Sequence, residues 1–452
     1  MLKKVINFFK KQSNFRYIAF GFLFVIFLGS GLLMIPGCIK NGVKLNYIDA
    51  LYTSTSAVCV TGLIAVDVAD TFTVPGQLIV MFLIQIGGLG VTTLGAGLIV
   101  AIRRHISLKE RNIIQESLNV EDAKGLLGLF KKVFIYTFII EFIGASLSLI
   151  TFAQNFSFGE AIYKSIFHSI ASFNNSGFDI LGGLTNYTIA PYNNDVLFNL
   201  VTCGLIILGG LGFLVIADVI HTRHFFKKTS LHTKVVLLMT TLLIILGTLL
   251  LAFTERNHII DGSFTWLGAF FTSVSARTAG FSTFALGSFT KAGQLVVIIL
   301  MFIGASPGST GGGIKTTTLF VVFMGIRSMV THKSTHAFKY TIPKETVKKA
   351  MVINLIALAL VIFGSFLMCL FEAELLLKNS QYSFIDVLFE ITSAFGTVGL
   401  STGITPYLCV GSKLLSIIIM YIGRVGPLTF ISLWQSNEEE YYSYAEGIIP
   451  VG

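Results

Sequence analysis

Charged residues are scarce in this sequence. Asp, Glu, Lys and Arg make up 12% of its 452 residues, whereas soluble domains carry roughly 25%. Hydrophobic residues make up 54%. This imbalance excludes an ordinary soluble domain and predicts a membrane protein. Residues 17–36 carry no charge and are long enough to span hydrocarbon. Because no small-residue cleavage site closes this segment, we interpret it as a retained helix rather than a signal peptide.

Cysteine and metal-binding patterns are lacking as well. The five cysteines are odd in number and form no C-x-x-C pair, which excludes both a disulfide framework and a zinc site. The apolar segments contain neither a Ser/His/Asp set nor a His-rich cluster. We therefore predict no catalytic residue, no covalent cofactor and no enzyme activity.

What the sequence does contain is one short signature that occurs four times. Each copy ends an apolar, Ser/Thr-rich segment with a glycine that is followed by Leu or Phe. The copies lie about a quarter of the chain apart, and a fixed period indicates a repeated structural unit. The four signatures are Val60-Thr61-Gly62, Asn175-Ser176-Gly177, Thr278-Ala279-Gly280 and Thr397-Val398-Gly399.

The residues around each signature predict the same helical plan. A spanning helix comes first, then a short pore helix, the signature, and a second, glycine-bearing spanning helix. First helices are predicted at 17–36, 129–153, 235–254 and 350–371, and pore helices at 48–60, 159–173, 264–276 and 383–395. Second helices are predicted at 77–101, 196–219, 293–329 and 413–434, and only the third of these is expected to be interrupted.

The predicted fold class is an all-α membrane protein of four parallel repeats, with eight transmembrane helices and four re-entrant pore loops around one pseudo-fourfold pore. The predicted order is an interfacial segment (1–16), repeat 1 (17–101), a cytoplasmic joint (102–128), repeat 2 (129–219), a joint (220–234), repeat 3 (235–329), a joint (330–349), repeat 4 (350–434) and a tail (435–452).

Positive charge is concentrated in four segments. Of the 32 Lys and Arg residues, 22 lie at the N-terminus and in or beside the three joints, in residues 1–16, 101–132, 221–234 and 327–349. The positive-inside rule places these segments and both termini in the cytoplasm of a multi-pass cell-membrane protein. The N-terminal segment combines lysines with apolar residues and is expected to rest on membrane lipid. Because the basic runs are short and adjoin the bilayer, we predict no nucleic-acid binding.

The pore helices are too short to cross about 30 Å of hydrocarbon at 1.5 Å per residue. They must turn back, and irregular backbone at that depth is tolerated only inside protein or around an aqueous cavity. Four such loops can present rings of carbonyl oxygens that replace the hydration shell of an ion. The signatures contain no Asp or Glu, which favours a monovalent cation over calcium.

These four signatures resemble those of the Trk/Ktr/HKT superfamily of potassium transporters, and the short chain resembles a Ktr-type bacterial membrane subunit. The resemblance implies potassium uptake, often stimulated by sodium, with K+ bound at the backbone carbonyls of Gly62, Gly177, Gly280 and Gly399. It implies a homodimer gated by a cytoplasmic ring of nucleotide-binding RCK subunits (KtrA-like), with the tail in the dimer interface. Glycine in all four signatures goes with potassium selectivity in this family.

The second helix of repeat 3 contains a glycine-rich loop that resembles the intramembrane gate of this family. The loop is Gly304-Ala305-Ser306-Pro307-Gly308-Ser309-Thr310-Gly311-Gly312-Gly313-Ile314-Lys315-Thr316. Pro307 and the glycines disfavour continuous helix. We expect it to block conduction until a cytoplasmic partner moves it. The loop nearly matches the phosphate-binding pattern G-x-x-x-x-G-K-[ST], but that pattern needs Lys at position 314, where this chain has Ile314. We therefore do not expect the loop to bind a nucleotide.

A few charged or polar residues lie within apolar segments. Arg424 is expected to line the pore, as the family's pore arginine does, or to pair with Glu141. Lys315 is expected either to contact the gate loop or to extend to the inner interface. We expect Arg277 to pair with an acid. Asp49 and Asp386 are expected to cap pore helices, and His168 to be packed in a pore helix.

Two other classes of protein are considered. A secondary cation symporter would place its substrate site between repeats, but such proteins usually show inverted repeats, and these repeats are parallel with no midplane carboxylate cluster. A membrane enzyme would need a catalytic constellation, which the apolar segments lack.

Overall fold

The computed structural model describes residues 14–91, 126–182, 189–222, 228–260, 264–378 and 381–427. Regular structure in these residues is helical except for one antiparallel pair of short strands, His336–Ala337 and Tyr340–Thr341. This pair was not predicted and lies in the joint 330–349. The predictions for the tail and for most of the interfacial segment and of the joint 102–128 lie outside the described residues.

Within the described residues, each of the four predicted repeat ranges contains a first helix, a shorter helix at the predicted pore-helix position and a second helix. The first and pore helices lie close to their predicted bounds, whereas the second helices end earlier than predicted; the predicted residues 92–101 and 428–434 lie outside the described residues. First helices are Asn14–Leu33, Leu126–Phe152, Leu231–Thr254 and Lys344–Phe371. Pore helices are Tyr47–Val58, Phe158–Phe173, Trp266–Ser275 and Phe384–Gly396. Second helices are Val74–Leu89, Val196–Leu211, Lys291–Phe302 and Val410–Val425, with further helices at Phe213–His221 and Thr316–Thr331. Short helical segments are Pro36–Cys38, Val68–Thr71, Ala190–Tyr192, Arg256–Ile260, Leu286–Ser288, Ala373–Lys378 and Thr405–Tyr407.

Polar side chains set where several of these helices begin. Thr290 accepts a hydrogen bond from the backbone N–H of Gly293 at 3.0 Å and Asp195 accepts one from Phe198 at 3.0 Å. Such N-caps satisfy backbone donors that a helix leaves unpaired. At the fourth pore helix, Ser383 and Asp386 form a reciprocal capping box. The capping role predicted for Asp386 is therefore confirmed.

Among the described residues, four helices are long and apolar enough to cross a membrane, or five if one bent pair counts as a single span. The four spans are Arg16–Leu33, Lys132–Phe152, Leu231–Thr254 and Lys344–Phe371. They lie in the four first helices. Their outward side chains are strongly exposed, as with Phe142 and Phe253, which is the distribution expected for helices that face lipid.

We expected an interruption only in the second helix of repeat 3, and this expectation was wrong. In repeat 2 the helix breaks at Gly212, which has φ +93°, and the chain bends by 96°. The second helices of repeats 1 and 4 end at the equivalent glycines, Gly90 with φ +86° and Gly426 with φ +96°. Glycine adopts such dihedrals without a Cβ clash. In repeat 3 the predicted interruption is present between Phe302 and Thr316.

The repeats pack in cyclic order. Every second helix contacts the pore helix of its own repeat and also the pore helix of the next repeat. The second helix of repeat 4 contacts the pore helix of repeat 1, which closes the ring. The pore helices consequently lie at the centre, and their last two turns are almost fully buried.

A small-residue contact joins first helix to pore helix in three repeats. A pore-helix serine donates to a first-helix carbonyl, and a glycine three residues further along the first helix lies against that serine hydroxyl. The hydrogen bonds are Ser54 to Ile26 (2.7 Å), Ser169 to Glu141 (2.6 Å) and Ser273 to Ile244 (2.9 Å). The glycines are Gly29, Gly144 and Gly247. Small residues permit this close approach, which fixes the depth of each pore helix.

Candidate ion pathway

The four signature glycines converge on one centre. A Cβ at each glycine would overlap the backbone of the next signature in the ring, so that only glycine fits. Gly62 lies against Ser176 and Gly177, Gly177 against Ala279 and Gly280, Gly280 against Val398 and Gly399, and Gly399 against Thr61 and Gly62. The structure thus brings together residues that the sequence separates by more than a hundred positions.

All four signatures share one unusual backbone conformation. Besides the glycines, the residue two positions earlier has a positive φ in every copy: Val60 (56°), Asn175 (57°), Thr278 (77°) and Thr397 (49°). This region is sparsely populated by non-glycine residues and especially by β-branched ones. Such strain persists only where surrounding contacts impose it and is concentrated at functional sites.

The backbone amides of the signatures point back toward the pore helices. Thr61 N donates to Ser56 O at 2.7 Å and Val398 N donates to Ser393 O at 2.9 Å, with equivalent bonds in the other repeats. The amides of Gly62 and Gly399 donate to the hydroxyls of Ser56 and Ser393. The carbonyls of the twelve signature residues accept no hydrogen bond within the described part of the chain. Buried carbonyls normally have a partner, so this ring has oxygens available for a cation.

The gate loop lies directly against the ring. Gly312 N donates to Thr397 Oγ1 at 2.9 Å, and a Cβ on Gly311 would overlap the Thr278 hydroxyl. Both threonines belong to signatures, so the loop contacts two of the four signatures. A parallel bridge between Ile303 and Ile314 holds the two ends of the loop together.

The broken helix of repeat 2 binds the other side of the gate loop. Ser306 N donates to Gly210 O at 3.1 Å, Thr310 N to Gly209 O at 3.3 Å, and Phe213 N to Gly308 O at 3.0 Å. The break at Gly212 exposes the backbone groups that make these bonds. The loop is therefore held by backbone contacts that sequence reasoning, which predicted an unbroken helix here, could not anticipate.

Two basic side chains bind backbone carbonyls of the gate loop. Arg424 donates to the carbonyls of Thr310 and Gly87, and Lys315 Nζ donates to Gly311 O at 2.6 Å. Of the two alternatives for Lys315, contact with the loop is the one observed. The alternative pairing of Arg424 with Glu141 was wrong, since Glu141 instead accepts a hydrogen bond from Asn174 at 3.1 Å.

Two further expectations were wrong. Arg277 has no acidic partner among the described residues, and its guanidinium makes only long hydrogen bonds to the carbonyl and hydroxyl of Thr240, at 3.4 and 3.5 Å. Asp49 does not cap its helix; its carboxylate accepts from Lys413 Nζ at 2.7 Å. The sequence gives no signal of this contact, because the lysine lies 364 positions from the aspartate.

His168 is packed in its pore helix, as predicted. It is 4% exposed, stacks on Phe198 with ring centroids 4.6 Å apart and has its Nε2 2.9 Å from Thr202 Oγ1. Within the described ranges, no group of three His, Cys, Asp or Glu residues could hold a metal ion.

Acidic residues lie on the loops that leave the first two signatures. Burial raises the pKa of the Asp179 carboxyl to about 7, although the Leu181 amide hydrogen-bonds the charged form and partly offsets this. Burial also raises the pKa of Asp67. The Asp67 carboxylate raises the pKa of Asp179 further through like-charge repulsion, while Lys164 lowers it. This end of the candidate pathway therefore carries titratable negative charge.

The fold is that of a known group of transport proteins. A family model, TrkH, described as a cation transport protein, matches residues 7–441. The chain belongs to this family. The resemblance predicted from the four signatures is thereby confirmed, and so is the prediction that this multi-pass membrane protein is a transporter rather than an enzyme.

Individual relatives of this TrkH-family chain match over nearly their full length. It is 38% identical to the potassium/sodium uptake protein NtpJ of Enterococcus hirae, with 100% of both chains covered. It is 37% identical to the Ktr system potassium uptake protein B of Bacillus subtilis, with 96% of both covered. The protein of the same name from Vibrio alginolyticus is 38% identical, over 98% of this chain and 96% of the relative.

A solved structure has the same fold. The potassium transporter TrkH from Vibrio parahaemolyticus superimposes with a TM-score of 0.71 at 16% identity, covering 94% of this chain and 86% of that one. At this identity the similarity shows the fold alone. It indicates that the helical framework is retained where most side chains differ.

Proposed function

We propose that this protein takes up potassium across the cell membrane through a selectivity filter built from the four signatures. K+ would bind the backbone carbonyls of Gly62, Gly177, Gly280 and Gly399 and of the residues before them. The observation that carries this proposal is the ring of buried carbonyls that accept no hydrogen bond among the described residues. Neutral carbonyl oxygens suit a dehydrated monovalent cation, and relatives at 37–38% identity are named as potassium uptake proteins.

The proposal includes the full topology. Eight transmembrane helices and four re-entrant pore loops would surround one pseudo-fourfold pore, with both termini in the cytoplasm. The cyclic packing of second helices on neighbouring pore helices supports the fourfold arrangement. The pore-helix C-termini end at the ring, where their dipoles would add negative potential and attract a cation.

Conduction would be gated by the loop Gly304–Lys315. Its contacts with Thr278 and Thr397 support a blocking position below the filter. Arg424 would hold the loop closed by binding the Thr310 carbonyl and would also limit ion occupancy of the pore. Lys315, which belongs to the loop, would stabilise its closed conformation by binding the Gly311 carbonyl. A cytoplasmic ring of RCK subunits, acting on a homodimer of this chain, would move Thr316–Thr331 and so open the loop. Two relatives are named as components of a Ktr system, which supports a multi-subunit assembly.

Sodium would act either as an activator or as a coupled ion. The relative from Enterococcus hirae is named as a potassium/sodium uptake protein. If sodium is coupled, its inward movement should be stoichiometric with that of potassium; if it only activates, potassium uptake should saturate with sodium while little sodium enters.

The test of the proposed function is uptake of rubidium-86 in a strain that lacks potassium uptake systems. Expression of this chain together with its RCK partner should restore growth at low potassium and give saturable uptake that excess potassium suppresses. A cell in which the chain reaches the membrane with the partner yet takes up no more rubidium than the empty strain would contradict the proposal.

A further inference from the structure

Arg277 is a buried cation beside the third signature that has no counter-ion among the described residues. It immediately precedes Thr278 and is 6% exposed. In the described part of the chain, no Asp or Glu oxygen lies within 4.0 Å of its guanidinium. Its contacts with Thr240 are long, and its Nε has no hydrogen-bond partner. A charge in this environment is costly and is usually paired or functional.

The guanidinium faces a small cavity between two repeats. Aliphatic side chains such as Ile206 and Ile244 form most of its wall, together with Gly210 and Thr240. Since none of these lining groups carries a charge, the wall of the cavity does not neutralise the guanidinium. Its field is screened less than that of an exposed charge and extends to the neighbouring signature.

The other repeats place no charge at this position. The equivalent residues, three before the signature glycine, are Cys59, Asn174 and Gly396. Arg277 therefore makes the third side of the ring electrostatically different from the other three. Fourfold equivalence of the backbone does not require this arginine, because the same conformation forms with Cys, Asn and Gly at the matching sites.

A positive charge opposes the backbone contributions that attract a cation to the ring. The free carbonyls and the C-termini of four pore helices all favour a cation. Conduction requires that an ion bind well enough to enter and weakly enough to leave. An unpaired guanidinium behind one signature weakens binding of the ion without blocking its path.

We propose that Arg277 sets the potassium affinity of the filter by supplying this opposing charge, so that the bound ion is released fast enough for turnover. The inference rests on the proposed function of the ring as a potassium filter. It assigns to Arg277 a role distinct from that of Arg424, because Arg424 binds the gate loop and Arg277 does not.

The test compares Arg277→Gln, which removes the charge, with Arg277→Lys, which keeps it. Rubidium-86 uptake gives KM and the maximal rate, and calorimetry on the purified protein gives the Kd for K+. Arg277→Gln should lower KM and Kd roughly fifteenfold, as expected for a unit charge about 10 Å away at an effective dielectric constant of about 20. The maximal rate of Arg277→Gln should not rise. The KM, Kd and maximal rate of Arg277→Lys should stay near the wild-type values.

A second variant leaves the arginine in place. Thr240→Asp puts a carboxylate where the Thr240 hydroxyl meets the guanidinium and should lower KM and Kd as Arg277→Gln does, while Thr240→Asn, a neutral control, should not. A structural role alone would reduce protein level or rate without tightening potassium binding. Unchanged or higher KM and Kd in both charge-neutralising variants, in cells where the wild type transports, would overturn the inference. Absence of transport by the wild type would instead refute the proposed function.

Discussion

At the residue scale, the ring depends on glycine for two separate reasons. Each signature glycine has a positive φ, and each also lies against the backbone of the next signature. An alanine in left-handed backbone costs about 1–2 kcal/mol, and its Cβ would have to displace a neighbouring carbonyl or Cα. Displacement of the neighbouring backbone bears directly on the candidate ion pathway, because it changes the distance between opposing carbonyl oxygens of the ring.

We therefore expect Gly177→Ala to widen the ring and weaken discrimination between potassium and sodium. A built Cβ would lie 2.9 Å from Gly280 Cα, too close without a shift of that backbone. The ratio of potassium to sodium uptake should fall roughly tenfold, which corresponds to about 1.4 kcal/mol. Gly204→Ala is the matched control, since a Cβ there meets nothing within 4 Å and should leave the ratio unchanged. Equal ratios in the two variants would argue against a filter at this ring.

At the scale of elements, the gate loop and the broken helix of repeat 2 act as one unit. The loop is bound by three backbone hydrogen bonds to that helix, by Arg424, and by contacts with two signatures. Each bond is short-range and lost if the loop moves by a few ångströms. Such a set of contacts suits an element with two discrete positions.

Deletion of 306–312 should consequently raise rubidium-86 flux in cells without the RCK partner. The deletion removes the residues that meet Thr278 and Thr397, so the lower end of the ring would open permanently. Replacing Lys315 by Gln removes only the bonds from its ammonium to the Gly311 and Gly312 carbonyls and should raise flux less. Flux at or below the wild-type level, from a deletion variant present in the membrane at wild-type amounts, would contradict a blocking role.

At the scale of the whole molecule, the ring closes through contacts between the ends of the chain. The second helix of repeat 4 packs on the pore helix of repeat 1, where Lys413 pairs with Asp49 at 2.7 Å. Both side chains of this pair are 13% exposed. A comparable pair between repeats 3 and 4, Lys291 with Asp386, is looser at 3.9 Å and its lysine is 63% exposed.

A double-mutant cycle on Lys413 and Asp49 should give a coupling energy of about 1 kcal/mol or more, since the pair is short and mostly shielded from water. The same cycle on Lys291 and Asp386 should give a value near zero, because an exposed, long pair contributes little. Chemical unfolding in detergent measures both. Equal coupling energies would show that shielding of the first pair does not strengthen it.

The sequence by itself determined the family, the mostly helical membrane fold, the four signatures, the approximate bounds of the first and pore helices, and the interruption between Phe302 and Thr316. These follow from hydrophobic runs and spaced glycines, which act over a few turns of one helix. Only the tertiary structure decided that the glycines meet in cyclic order, that Gly212 breaks a helix to hold the gate loop, and that Asp49 pairs with Lys413. It also left Arg277 without the acid expected for it. The physical reason is that these features depend on which distant segments pack together, and composition and spacing within one segment carry no record of a partner a hundred or more residues away.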